Sequence, residues 1–118
     1  MFATITINGK PVNLKASLYS NMIYKSAFGK NMQTDMVKAE TAANLCNSAE
    51  SDIEKIDAVQ EVKDIGYQVI WALAKEADDS IPAFPAWIRG IEDIDFSTAY
   101  GIAAKLIVDA QKLDRKNV

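Results

Sequence analysis

Histidine is absent from this 118-residue chain, and cysteine occurs once, at Cys46. Without histidine the commonest general base and metal ligand is missing. Cys46 then has no imidazole to activate it as a nucleophile. A lone cysteine forms no internal disulfide and suits a reducing compartment. Cys46 is expected as a half-buried residue of an Ala-rich helix. No apolar run is long enough to span a bilayer, and the N-terminus lacks the charged and apolar regions of a signal peptide. The expectation is a cytoplasmic protein that is not bound to a membrane. Thirteen Lys and Arg against sixteen Asp and Glu leave a net charge of −3. With no basic stripe, nucleic acid has no electrostatic footprint to bind. Neither phosphate-binding glycine motif, G-x-x-x-x-G-K or G-x-G-x-x-G, is present. Asp78 and Asp79 read as solvated carboxylates at a helix end rather than an acid–base pair. Glu92, Asp93 and Asp95 lack the spacing and the glycine of a calcium loop. These absences predict a protein that is not an enzyme and has no cofactor, metal, nucleotide or small-molecule substrate.

What the chain does contain is one core's worth of apolar pattern. Its length suits a single domain, 1–118. From Val59 to Ala77, the positions Val59, Val62, Ile65, Gly66, Val69, Ile70, Leu73 and Ala77 fall on one arc of a helix. Gln60, Glu61, Asp64, Gln68 and Lys75 fall opposite. Tyr67 and Trp71, four apart, sit at the edge of the polar side.

Taken in order, residues 2–15 predict a β-hairpin around Asn8-Gly9, the favoured pair of a two-residue type I′ turn. That turn sets Ile7 opposite Lys10, Ile5 opposite Val12 and Ala3 opposite Leu14, so the apolar residues share one face. Pro11 removes a ladder donor and marks an edge strand. A helix over 17–29 follows, capped by Ser17 and ended by Gly29. It has an apolar arc of Leu18, Tyr19, Met22, Ile23 and Ala27, with Tyr24 and Phe28 as a second stripe. Residues 30–58 are partly helical or mobile, with a cap at Asn31 or Thr34, a helix through Met36, Ala39, Ala43 and Cys46, and a loop from Asn44 to Asp52. Ser51 or Asp52 caps a helix that continues into the central one, over 59–77. The Asp78-Asp79-Ser80 stop and Pro82 end it. A short helix, 84–90, carries Pro85 in its first turn, and Phe84 and Trp87 are expected to cover Trp71. The last helix, 97–113, buries Ala99, Ile102, Ala103, Leu106, Ile107, Ala110 and Leu113. The fold class is therefore mainly α (α+β): a small helical domain with an N-terminal β-hairpin.

Two surfaces are candidates for a partner. One is the Tyr67/Trp71 side, if Phe84 and Trp87 leave it open. The other, favoured, is the last helix with its stripe Ala99, Ala103, Leu106, Ala110 and Leu113, where a partner helix or a second copy of the chain would pack. On that reading Leu106→Asp abolishes binding and leaves a folded monomer.

The order of several short pieces resembles the tail assembly chaperones of siphophages and prophages of Gram-positive bacteria. These pieces are Ile5-Thr6-Ile7-Asn8-Gly9-Lys10, the aromatic helix ending Phe28-Gly29-Lys30, Ile70-Trp71-Ala72-Leu73-Ala74-Lys75, Ala77-Asp78-Asp79-Ser80-Ile81-Pro82 and Trp87-Ile88. The similarity spans about 90 residues; 36–58 contribute little, and the Ala-rich segment 39–49 departs from the family pattern. None of these motifs is a catalytic signature. The resemblance implies a protein that binds the tape measure protein in the host cytoplasm and keeps it soluble until tail-tube protein, a further partner, polymerises around it. It also implies absence from the finished virion and, in many such phages, a longer frameshifted form. Rival readings are another morphogenesis factor, for tail completion or head–tail joining, and a small helical DNA-binding regulator, which would need a basic recognition helix.

Overall fold

Asn8 and Gly9 adopt φ of 54° and 74°, the left-handed pair that a type I′ turn requires. They join β1 (Phe2–Ile7) to β2 (Lys10–Lys15), and the ladder pairs Ile7 with Lys10, Ile5 with Val12 and Ala3 with Leu14, as the turn dictates. The computed structural model describes residues 1–48 and 50–116, with side chains through Lys112. Ile5, Ile7 and Leu14 are buried on one face of the ribbon, while Phe2, Thr4 and Thr6 face out. A lone two-stranded ribbon is marginal in water; here β2 lies on α3 and β1 on α5.

Five helices follow: α1 (Leu18–Phe28), α2 (Met32–Ser48), α3 (Asp52–Ala77), α4 (Phe84–Arg89) and α5 (Phe96–Lys116). α3 is the axis, and β2 and the other four helices all pack on it. From Ile65 to Ala74 only Tyr67 and Gln68 keep partial exposure. Each Leu or Ile so buried contributes about 1.5–3 kcal/mol.

The ends of α1 match expectation: Ser17 and Ser20 form a capping box, and Gly29 closes the helix at φ 70°. Its buried side does not. Leu18, Tyr19, Met22 and Ala27 are exposed; Ser20 and Tyr24 are buried, with Phe28 half-buried beside them. α1 has two apolar stripes, and the one turned inward is the one whose polar atoms find partners. The Ser17 and Ser20 hydroxyls both donate to the carboxylate of Glu76, near the end of α3.

The middle of the chain is more helical than its composition suggests. Asn31 caps α2, its side-chain carbonyl accepting from the Thr34 N–H at 3.0 Å. α2 runs through Ser48, so Asn44–Ser48, expected as the start of a loop, are helical, while Glu50 and Ser51 are not. The row Met32, Asp35, Ala39, Ala42, with Cys46 half-buried, keeps one face on α3; tertiary packing overrides the weak propensity of Asn and Ser. Ser51 caps α3, its Oγ accepting from the Glu54 N–H at 3.2 Å. The central helix therefore starts at Asp52 rather than 59. α4 ends one residue before the expected Gly90, and α5 extends beyond 97–113 on both sides.

The hairpin tip also holds the chain together over distance. The Asn8 backbone N–H donates to the Asp93 carbonyl and its Nδ2 to the Gly90 carbonyl, both at 2.7 Å. Its Oδ1 accepts from the N–H groups of Glu92 and Asp93, each at 2.8 Å. Ile7 forms an isolated antiparallel bridge with Ile94. The α4–α5 connection is thus pinned across the end of the ribbon.

Candidate partner-binding surfaces

Of the two surfaces expected from sequence, Trp71 and the α5 stripe are occupied within the chain, whereas Tyr67 lines a cleft of about 330 Å³ with Lys38, Asp64, Gln68 and Ile88. Trp71 is only 5% exposed. Its Nε1 donates to the Pro82 carbonyl at 2.9 Å, and its ring meets Phe28 and Phe84 edge-on at 5.5 and 6.1 Å. Phe84 thus covers the Trp71 side as anticipated, joined by Phe28, while Trp87 is buried beside Phe84. Tyr67 is half-buried, 5.0 Å from Phe96, whose ring stacks in turn on Tyr100. Lys75 secures the segment after α3 by donating from Nζ to the Asp79 and Ile81 carbonyls, both at 2.7 Å.

On α5, Ala99, Ala103, Leu106 and Ala110 are all buried; Leu113 lies outside the described side chains. That stripe is the core face of α5, resting on α3 and β1, and is not a free surface. A buried carboxylate without a partner is strongly destabilising, so Leu106→Asp is now expected to disrupt the fold rather than spare it.

A polar latch within the core escaped the sequence reading. Asp35 is 2% exposed and accepts from the Tyr24 hydroxyl at 2.6 Å, with Gln68 2.9 Å from the same hydroxyl. The hydroxyl has one proton and faces two acceptors, Asp35 Oδ2 and Gln68 Oε1; with the proton on the Asp35 side, turning the Gln68 amide over lets its N–H₂ donate to the hydroxyl. Burial first, and then the Asp35 hydrogen bond and charge, push the Tyr24 pKa far above its ordinary value. Lys38 stands 4.0 Å from the other Asp35 oxygen. The signal was available: Asp35 occupies the same helical face as Ala39 and Ala42. The latch joins α1, α2 and α3 and reads as structural, because every buried side-chain polar atom among the described residues has a partner.

A larger opening is a trough. α2 and α5 both lie against α3 and leave a cleft of about 530 Å³ between them. Met36, Ala39 and Val62 line its depth, Val37, Glu40 and Ala43 one wall, and Phe96, Ser97, Tyr100, Gly101, Ala104 and Val108 the other. Val37 and Val108 are 62% and 46% exposed. The α5 wall is the helix's second stripe, beside its core face, and sequence periodicity picked out only the stronger one. Glu40 is the one ionisable carboxylate in the lining. Burial first, then the Glu40 charge, raise the pKa of Tyr100. A smaller cleft of about 420 Å³ between α2 and α3 carries Glu54, Asp57, Glu61 and Asp64 with Leu45.

No protein-family model matches the chain, and no curated protein or solved structure matches it either. Among the described residues, no group of three or more Cys, Asp or Glu is arranged to hold a metal ion, and no helix is long and apolar enough to cross a membrane.

Proposed function

We propose that this chain is a tail assembly chaperone of a siphophage or prophage of Gram-positive bacteria. It binds the tape measure protein in the host cytoplasm, keeps it soluble until tail-tube protein assembles around it, and does not enter the finished virion. The observation that carries the reading is the ordered similarity of residues 5–30 and 70–88 to that family. The described surface supports it, because the chain keeps an apolar cleft and large exposed apolar side chains after its core is filled. Contiguous exposed apolar surface on a small protein commonly marks a site of protein interaction. The proposal assigns no catalytic step to any residue.

Co-expression with the tape measure protein tests it. The expected outcome is that the tape measure protein moves from the insoluble to the soluble fraction and co-purifies with this chain. A tape measure protein that stays insoluble beside well-folded chain would overturn the reading and favour a joining or completion factor.

A further inference from the structure

The trough suggests what kind of segment the partner offers. We infer that it seats an amphipathic helix of about three turns whose apolar face is flanked by a basic edge and an acidic edge. This rests on the partner-binding reading above and adds the site and the chemistry of the segment.

Three observations point to a helix. The walls are themselves helices lying on a helical floor, so a further helix would complete the layer by ordinary side-chain interdigitation. Between Ser97 and Val108 the α5 wall is about 16 Å long at 1.5 Å per residue, which is about three turns. The third observation is Gly101. A glycine inside a helix is destabilising by roughly 0.5–1 kcal/mol relative to alanine, and nothing lies within 4 Å of where a Gly101 Cβ would stand. The monomer's own packing does not require the glycine, and its bare backbone leaves room for an incoming helix to pack at the near end of the usual range of about 8–10 Å. Gly66 shows the contrast, because a Cβ there would collide with the Phe96 ring.

The charges at the edges specify the segment further. Glu40 lies on the α2 wall. Lys105, exposed on α5, follows Ala104 and stands one turn from Gly101 and Val108, on the opposite edge. A seated helix therefore gains from a cation towards α2 and a carboxylate towards α5, with apolar side chains between them meeting Val37, Val62 and Val108.

The test uses two dye-labelled helical peptides of about 14 residues, long enough to cover the trough, with the same Leu/Ala face. One carries Lys along one edge and Glu along the other; the second carries Glu along both. Fluorescence anisotropy should show that the wild-type chain prefers the mixed peptide by about two- to five-fold, the size of one exposed ion pair. Glu40→Lys should reverse that order, whichever way round the peptide lies. Gly101→Trp, which projects into open space, should weaken both peptides by at least about ten-fold, or 1.4 kcal/mol. Val37→Glu, on the exposed wall, makes the same point if the Trp variant loses its fold. No saturable binding to the wild-type chain, or binding indifferent to both blocking variants, would overturn the inference. The co-expression assay separates the two claims. Tape measure protein solubilised equally by wild type and by the blocking variants sinks the trough and spares the chaperone. Peptide binding that follows the expected order, with no solubilisation by wild type, does the reverse.

Discussion

The two halves of α3 share one helix and live in different surroundings. From Ile65 to Ala74 eight of ten residues are buried, whereas from Asp52 to Asp64 only Ala58 is. α1, α2, α4, α5 and the ribbon all pack on α3, and its burial is concentrated in the Ile65–Ala74 stretch. Ile53 and Ile56 are left 79% and 69% exposed. An apolar residue on a helix is therefore not yet a core residue. It becomes one only where enough other elements converge on that turn.

Truncation should show the difference most strongly. Leu73→Ala is expected to lower stability by about 2–5 kcal/mol, through lost burial and the cavity left behind. The same kind of change at Ile56→Ala should cost under about 0.5 kcal/mol, as surface substitutions do. Urea denaturation of both variants measures the gap. Equal losses would mean that the first half of α3 is covered in solution.

A smaller effect is expected at Gly66, the point where α5 touches α3. An added Cβ would stand 2.6 Å from Phe96 Cε1, and that ring is held between Tyr67 and Tyr100 at 5.0 and 5.8 Å. Overpacking costs about 1–3 kcal/mol, and the better helix propensity of alanine returns up to about 1 kcal/mol. Gly66→Ala should therefore lose up to about 2 kcal/mol net in the same titration. A stabilised variant would show that Phe96 moves aside freely.

The caps distinguish the exposed start of α3 from the start of α5. Ser51 caps the first and does not ionise in the acid range; Asp95 caps the second, through the Thr98 hydroxyl at 2.8 Å and N–H at 3.2 Å. These hydrogen bonds, the hydroxyl's first, hold the Asp95 carboxyl below its usual range. A folded pKa below the unfolded one gives stability that is present above the unfolded value, about 3.9, and lost as pH falls through the folded value. Asp95→Ala should thus lower Tm at neutral pH, with the deficit shrinking below about pH 4. The Ser51→Ala deficit, typically about 1 kcal/mol or less for an exposed cap, should hardly change over that range. Parallel pH profiles for the two variants would contradict the assigned role of Asp95.

The smallest expected change is Ile53→Ser, within about 0.5 kcal/mol of wild type. Hydrogen exchange refines it: amides of Asp52–Asp64 should exchange sooner than those of Ile65–Ala74, because local opening there breaks fewer buried contacts. Uniform protection along α3 would erase the distinction between its halves.

Local chemistry was legible wherever it is decided by a few neighbours. Asn8-Gly9 specified its turn and hence the strand register. Ser17 and Gly29 marked both ends of α1, Ser51 was one of two caps named for α3, and Pro85 fell in the first turn of α4. Phe84 was matched to Trp71 across the chain because a large ring at the edge of a polar face needs a cover. The same reasoning did not reach Asp35, since a carboxylate on an Ala-rich helix reads as solvated until Tyr24 arrives from another element. It also missed the trough, which is a space between three helices and has no residue of its own.

The amino-acid sequence by itself determined the ribbon, the helix-forming faces and most of their caps, because hydrogen-bond geometry and 3.6-residue periodicity act over a turn or two. The tertiary structure decided which of two apolar stripes turned inward on α1. Tyr24 reaches Asp35 and Gln68, and Phe28 meets Trp71, only when three helices are brought together. On α5 the stripe of Ala99, Ala103, Leu106 and Ala110 became core, leaving Gly101, Ala104 and Val108 to face the open cleft. Periodicity finds an apolar face, but burial is a property of the neighbours that face meets, and those are assembled from the whole chain.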